Sequence, residues 1–289
     1  VNILGKLIKF PFTKWQGCGN DFVMIDGFAN AIAEEDYAAV SKAACDRHYG
    51  IGADGIILLL PSDKADIRMR IINADGSEAE MCGNGIRCFA ALAYNLGMVK
   101  ETEFTVETGA GILVPRMEET GRKSQVRVDM GEPVLEGDNI PVAGFGMNRV
   151  ISEDITVKDK TFKMTCVSMG NPHCVTFVDD AEKFPIYEYG PLFEKHEKFP
   201  RKVNAEFVEV IDRQHIRMRV WERGAAVTLA CGTGSCATLT AAVLNGLADR
   251  KAEIQLDGGK LTVEWAENNH LFMTGPAEEV YSGEYEVEI

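Results

Sequence analysis

No apolar run in the 289-residue sequence approaches the roughly 18 to 20 residues that span a bilayer. The opening, VNILGKLIKFPFTKW, also lacks the apolar block and small-residue cleavage site of a signal peptide. Basic residues are few: 30 Lys and Arg stand against 44 Asp and Glu, a net charge of −14, with no basic and aromatic cluster to offset it. A polyanion is repelled by such a chain, so DNA, RNA and anionic membrane surfaces are excluded as partners. No C-x2-C pair occurs, and of the eight cysteines only Cys231 and Cys236 stand at a common zinc spacing. Without an export signal these thiols are expected to stay reduced in the cytoplasm. What remains, 46% hydrophobic and 26% charged, describes a globular chain with room for about two domains.

What the sequence does have is a copy of itself. IRMR recurs at 67–70 and 216–219, an offset of 149 residues. The same offset carries Cys82 to Cys231, Gly83 to Gly232, Gly85 to Gly234 and Gly97 to Gly246, without a gap from the IRMR onward. Upstream, Asn20 in QGCGNDFVMID pairs with Asn171 in SMGNPHCVTFVD at an offset of 151. Two large copies make a duplicated domain rather than a solenoid.

Each copy reads alike. GIILLL and DIRMRIINA are β-branched and apolar enough for strands. After the cysteine, Ile86, Phe89, Ala90, Ala93 and Leu96 recur at helical spacing, and Gly97 closes the run as a C-cap. Ala237, Leu239, Ala242 and Val243 repeat the pattern up to Gly246, and EFTVET, QVRVDM, EIQLD and KLTVEW add strands. The expected fold is α+β: two pseudosymmetric lobes, each a strand-rich shell around a central helix. The Gly- and Pro-rich segment 131–148 separates them. The lobes are expected at 1–135 and 136–276, with 277–289 packing back on the first.

AEMCGNGIRC raises the question of what Cys82 does. A thiol there can be a metal ligand, half of a disulfide, an apolar filler or a nucleophile. Cys82 and Cys231 each fall where a turn becomes a helix, and there the free N–H groups and the helix dipole favour thiolate. The glycines let a carboxylate approach those N–H groups. If a pseudo-twofold axis relates the lobes, the two thiols face one cleft. A single-thiol hydrolase leaves one of them idle, whereas inversion of a carbon stereocentre uses both. One thiolate then removes a proton from Cα while the other thiol returns one to the opposite face. Repulsion between two nearby anions keeps one of the pair protonated. Cys18, Cys45, Cys88, Cys166, Cys174 and Cys236 are read as core.

GNDFVMID, GIGADG, NADGSEAEMCGNGIRC, GNPHCV, VNAEF, WERGAAVTLACGTGSCA and MTGPAEEVY resemble the diaminopimelate epimerase family over nearly the whole chain. The resemblance implies interconversion of LL- and meso-2,6-diaminopimelate in lysine and peptidoglycan biosynthesis, with no pyridoxal phosphate, metal or other cofactor. It implies two lobes with the site between them. Carried over by residue, Cys82 and Cys231 are the acid/base pair, tuned by His173 and Glu222. Asn20, Asn73, Gly83, Asn84, Asn171, Asn204, Glu222, Arg223, Gly232 and Thr233 match substrate-binding positions. An Arg suits a carboxylate because it donates two parallel hydrogen bonds. Where some members have a Gln contact this chain has Gly55, and no contact is assigned there. The expected partner is the small-molecule substrate, with a homodimer as the assembly to test for.

GIGADG matches G-x-G-x-x-G, but a dinucleotide loop needs a strand before it and a helix after it. Here the strand follows, so nucleotide binding is set aside. Two rivals stand beside the epimerase. One is a cofactor-independent racemase of proline or hydroxyproline. The other is a pair of non-enzymatic lobes whose cysteines hold metal, which a zinc assay separates. In either enzyme, oxidation is expected to join the paired thiols and stop turnover until they are reduced.

Overall fold

The computed structural model describes residues 6–30 and 32–289. The chain divides into one unit ending at Val128 and completed by Gly275–Ile289, and a second unit, Asp129–Thr274. Residues 1–5, most of the opening stretch that the resemblance leaves out, lie outside the described residues.

In the first unit β1 (Leu7–Gly17) is antiparallel to β2 (Asn20–Asp26). β3 (Gly55–Leu60) lies parallel to β2, and parallel neighbours need a long crossover, which α1 (Tyr37–Cys45) supplies. β4 (Ile67–Asn73) is antiparallel to β3 and to the short β5 (Glu78–Ala79). A second crossover, α2 (Gly83–Asn95), leads to β6 (Val106–Thr108), parallel to β4, and on to β7 (Gly111–Leu113). β8 (Arg116–Glu119) and β9 (Lys123–Asp129) form an antiparallel pair.

The second unit opens with β10 (Glu153–Val157), β11 (Lys160–Ser168) and β12 (Pro172–Phe177), successively antiparallel. From β12 the order of the first unit returns. α3 (Ile186–Glu194) crosses to the parallel β13 (Asn204–Asp212), followed by antiparallel β14 (His215–Glu222) and β15 (Ala226–Val227). α4 (Gly232–Leu244) crosses to β16 (Lys251–Gln255), parallel to β14, and β17 (Lys260–Trp265) closes the run. β18 (Leu271–Glu288) pairs with β17 through Leu271–Thr274, and from Glu278 onward it pairs with β1.

The duplication is thus one of topology as well as of sequence. α2 and α4 have 13 residues each and α1 and α3 nine, both pairs offset by 149. The shorter helices are a finding, because the sequence pattern singled out only one helix per lobe. YAAVSKAAC offers a short apolar face, and α3 carries Gly190 and an internal Pro191, so neither shows a long clean period.

These helices explain why GIILLL does not alternate. Ile56 and Leu58 join the core that holds Val40 and Ala44 of α1, while Ile57 faces Gly85 of α2. A strand covered on both faces reads as a continuous apolar run. In the second unit Ala205 and Phe207 pack with Ile186, Tyr189 and Phe193 of α3. α2 is buried from Asn84 through Ala93 and α4 nearly throughout, so each is a core helix rather than an amphipathic one. Removing a side chain such as Phe89 from water contributes about 1.5–3 kcal/mol. Among the described residues no helix is long and apolar enough to cross a membrane.

Candidate functional site

Both cysteines stand at the N-cap of their helices. Cys82 (φ −143°, ψ 121°) precedes α2 and Cys231 (φ −134°, ψ 110°) precedes α4. In each unit the sulfur accepts the N–H of the residue three positions on, Gly85 or Gly234, at 3.4 Å. A capping side chain accepts in this way because the first helical N–H groups have no partner within the helix. The glycine is needed for room. A Cβ on Gly85 would lie 3.0 Å from Ile57 Cδ1, and one on Gly234 would lie 2.9 Å from Glu206 Oε1 and 3.2 Å from Cys231 Sγ.

Around Cys82 the side chains form a chain of fixed direction. The fully buried Arg87 donates to Asn84 Oδ1 at 2.8 Å, and Asn84 Nδ2 donates to Asn20 Oδ1 at 3.2 Å. Asn20 spends its own Nδ2 on Asp54 Oδ2 at 2.5 Å. Its Oδ1 therefore faces the sulfur of Cys82, 3.5 Å away, and takes the S–H. Arg87 also donates to Gly83 O at 2.9 Å, bracing the first turn of α2. Asn73, at the end of β4, is engaged in its own turn, with Nδ2 donating to Ser77 Oγ at 3.0 Å. That is the turn-forming role its residue type favours.

Cys231 meets a different chain. Its sulfur is 3.5 Å from Thr233 Oγ1, which accepts from Asn171 Nδ2 at 3.3 Å. Asn171 Oδ1 is 3.0 Å from His173 Nε2, and His173 Nδ1 is 2.6 Å from Glu206 Oε1. His173 and Glu206 are fully buried. Asn204 is a buried brace: Nδ2 donates to Pro172 O at 2.8 Å and Oδ1 accepts the Arg223 N–H at 2.9 Å. Arg223 donates a guanidinium N–H to Arg201 O at 3.2 Å, and Glu222 accepts a short hydrogen bond from the Thr228 hydroxyl.

The two thiols differ in exposure. Burial pushes the Cys231 thiol well above its ordinary value, and Glu222 and Glu206 push the same way, against the pull of Thr233 and the Gly234 N–H. The thiolate expected from the helix start alone is outweighed here by burial. Cys82 is only half-buried. Cys88, which burial lifts to about 12, and Cys236 are wholly enclosed. Cys174 is raised well above normal, first by its hydrogen bond to Cys166 and then by burial. No disulfide joins any of the eight cysteines, and no three His, Cys, Asp or Glu residues among the described ones are grouped to hold a metal ion.

Several residues in these networks escaped sequence reasoning, among them Arg87 and Glu206. The 149-residue register marks these two, since it sets Arg87 over Cys236 and Glu206 over Ile57. Beside identical thiols, a charged residue in one copy and an uncharged one in the other is the signal.

A sequence model of the diaminopimelate epimerase family matches residues 12–136 and 165–280. The chain is 53% identical to diaminopimelate epimerase of Methanococcus maripaludis over 278 residues, 96% of this chain and 99% of the relative. It is 54% identical to that of Agathobacter rectalis over 284 residues, again 96% and 99%. A solved phenazine biosynthesis protein of the PhzF family from Bacillus anthracis superposes with a TM-score of 0.70 at 18% identity, covering 97% of this chain and 99% of that one. A hydroxyproline epimerase from Agrobacterium vitis gives 0.63 at 15%, covering 99% and 93%. Likeness at those identities is likeness of fold.

Proposed function

The chain belongs to the diaminopimelate epimerase family, and from that premise we propose that Cys82 and Cys231 act on opposite faces of one substrate Cα. The enzyme is an isomerase interconverting LL- and meso-2,6-diaminopimelate, a step of lysine and peptidoglycan biosynthesis. One sulfur, as thiolate, takes the Cα proton, and the electron pair moves into the adjoining carboxylate. The other sulfur, as thiol, delivers its proton to the opposite face. The protonation states of the pair are then exchanged, and the reverse reaction restores them.

The N–H groups at Gly83, Asn84, Gly232 and Thr233 are the donors we assign to the reacting carboxylate, where helix N-termini stabilise growing negative charge. Asn20, Asn73, Asn171, Asn204, Glu222 and Arg223 complete the binding set in this reading, with His173 and Glu222 tuning the thiols. The buried amides of Asn84 and Asn204 each spend one N–H on Asn20 and Pro172, so both also brace their neighbours. A cytoplasmic enzyme fits eight cysteines that form no disulfide. The homodimer is open to a light-scattering measurement.

The observation that carries this reading is the pair of cysteines at equivalent N-caps, each holding the N–H three residues on. Turnover of LL-diaminopimelate in deuterated water is expected to place solvent deuterium at Cα of the inverted product, read by mass spectrometry. Inversion that retains the original hydrogen would point to a single shuttling base and remove the two-thiol scheme.

A further inference from the structure

Glu206 is a carboxyl where the duplicated fold places a hydrocarbon. It lies on β13 at the position Ile57 holds on β3, and it faces the first turn of α4 across Gly234. It is fully buried. One oxygen meets His173 Nδ1 at 2.6 Å and the other, Oε2, has no hydrogen-bond partner.

The protons can be placed from the partners. Asn171 gives its N–H to Thr233, so its Oδ1 faces His173 Nε2, which must carry the hydrogen. The pair is then either an imidazolium donating from Nδ1 to a carboxylate or, with Nε2 alone protonated, an imidazole whose Nδ1 lone pair accepts from Glu206 as the acid. In the neutral pair the unpartnered Oε2 is a carbonyl, cheaper to leave unpaired in a dry interior than a carboxylate oxygen, and that selects Glu206 as the donor. Thr233, having accepted from Asn171, has its own hydrogen for the sulfur of Cys231.

We propose that Glu206 is a positioning residue: as a neutral acid it donates to His173 and orients a one-way chain of hydrogen bonds, through Asn171 and Thr233, that prepares Cys231 to carry negative charge. This rests on the reading of Cys231 as an acid/base group. The titratable groups around the carboxyl are His173 from β12, Glu222 from β14 and Cys231 at the start of α4, with Cys174 on the opposite face of the sheet. Burial raises the Glu206 carboxyl to about 7, with Glu222 adding to the rise and His173 opposing it. The acid is therefore neutral below about pH 7. Above it, a carboxylate faces the sulfur across Gly234 and opposes the thiolate.

The test uses the full chain. Glu206→Gln keeps a donor toward His173 but cannot ionise, and Glu206→Ile reproduces the residue of the other copy. Glu206→Ile is expected to lower kcat about 10²-fold with KM little changed, and Glu206→Gln to recover most of that loss. In Glu206→Gln the alkaline limb of the pH–rate profile near pH 7 should move upward. The apparent pKa of Cys231, followed by site-resolved alkylation, should fall below that of the wild type. Equal impairment of both variants, or a Glu206→Gln profile that overlays the wild type, overturns the proposal; if Glu206→Ile does not fold, the Glu206→Gln profile alone decides. Cys231→Ser in the same assay separates the premise: full activity there sinks the two-thiol reading instead.

Discussion

Cys82→Ser and Cys231→Ser are each expected to lose epimerase activity by about 10²- to 10⁴-fold, the range of a missing general acid or base. They should do so while keeping or gaining thermal stability. Serine is a preferred helix N-cap and accepts the third N–H better than sulfur does. Its hydroxyl does not ionise near neutral pH, so it caps without transferring protons. Alanine separates the roles from the other side. Cys82→Ala and Cys231→Ala should lose as much activity and, with the cap gone, about 1 kcal/mol of stability as well. The cap alone cannot produce this pattern, since it predicts activity following stability and serine surviving. Activity in both directions, measured beside a melting curve for the four variants, settles the matter. A serine variant with wild-type turnover would mean that the sulfur at that position is structural.

Arg87→Met is expected to be the most damaging change away from the sulfurs. Methionine nearly matches the length of the side chain and fills its buried slot. It removes the donors for Gly83 O, Asn84 Oδ1 and Pro276 O. A buried acceptor left unsatisfied costs about 1–3 kcal/mol, and since only the Asn84 bond is fully buried the loss should be about 2–3 kcal/mol. That is a large share of the roughly 5–15 kcal/mol by which domains are stable. The melting temperature should fall by several degrees, at about 2–4 °C per kcal/mol for a chain of this size. Activity should fall beyond what unfolding explains, because Asn84 would be free to turn its amide and Asn20 would lose the donor that helps aim Oδ1 at Cys82. An unchanged melting temperature would show that water or a rearranged neighbour replaces the guanidinium.

The sequence alone located both thiols at helix starts, because a cap involves residues only three apart and Cys-Gly-x-Gly followed by an apolar period spells it out. It also revealed the duplication, through an offset that needs no contacts, and with it the family. Pairwise chemistry across strands was beyond its reach. Asn84 and Asn204 matched binding positions, and folding buries both and gives one N–H of each amide to a neighbour far along the chain. Glu206 looked like an ordinary strand carboxylate until β13 was covered by helices on both faces, which leaves it dry and facing His173. Cys231, whose helix start favours thiolate, is pushed toward the thiol chiefly by burial. Dihedral preferences and capping are decided within a few residues. Desolvation and charge depend on everything that surrounds an atom, and only the packed chain determines that.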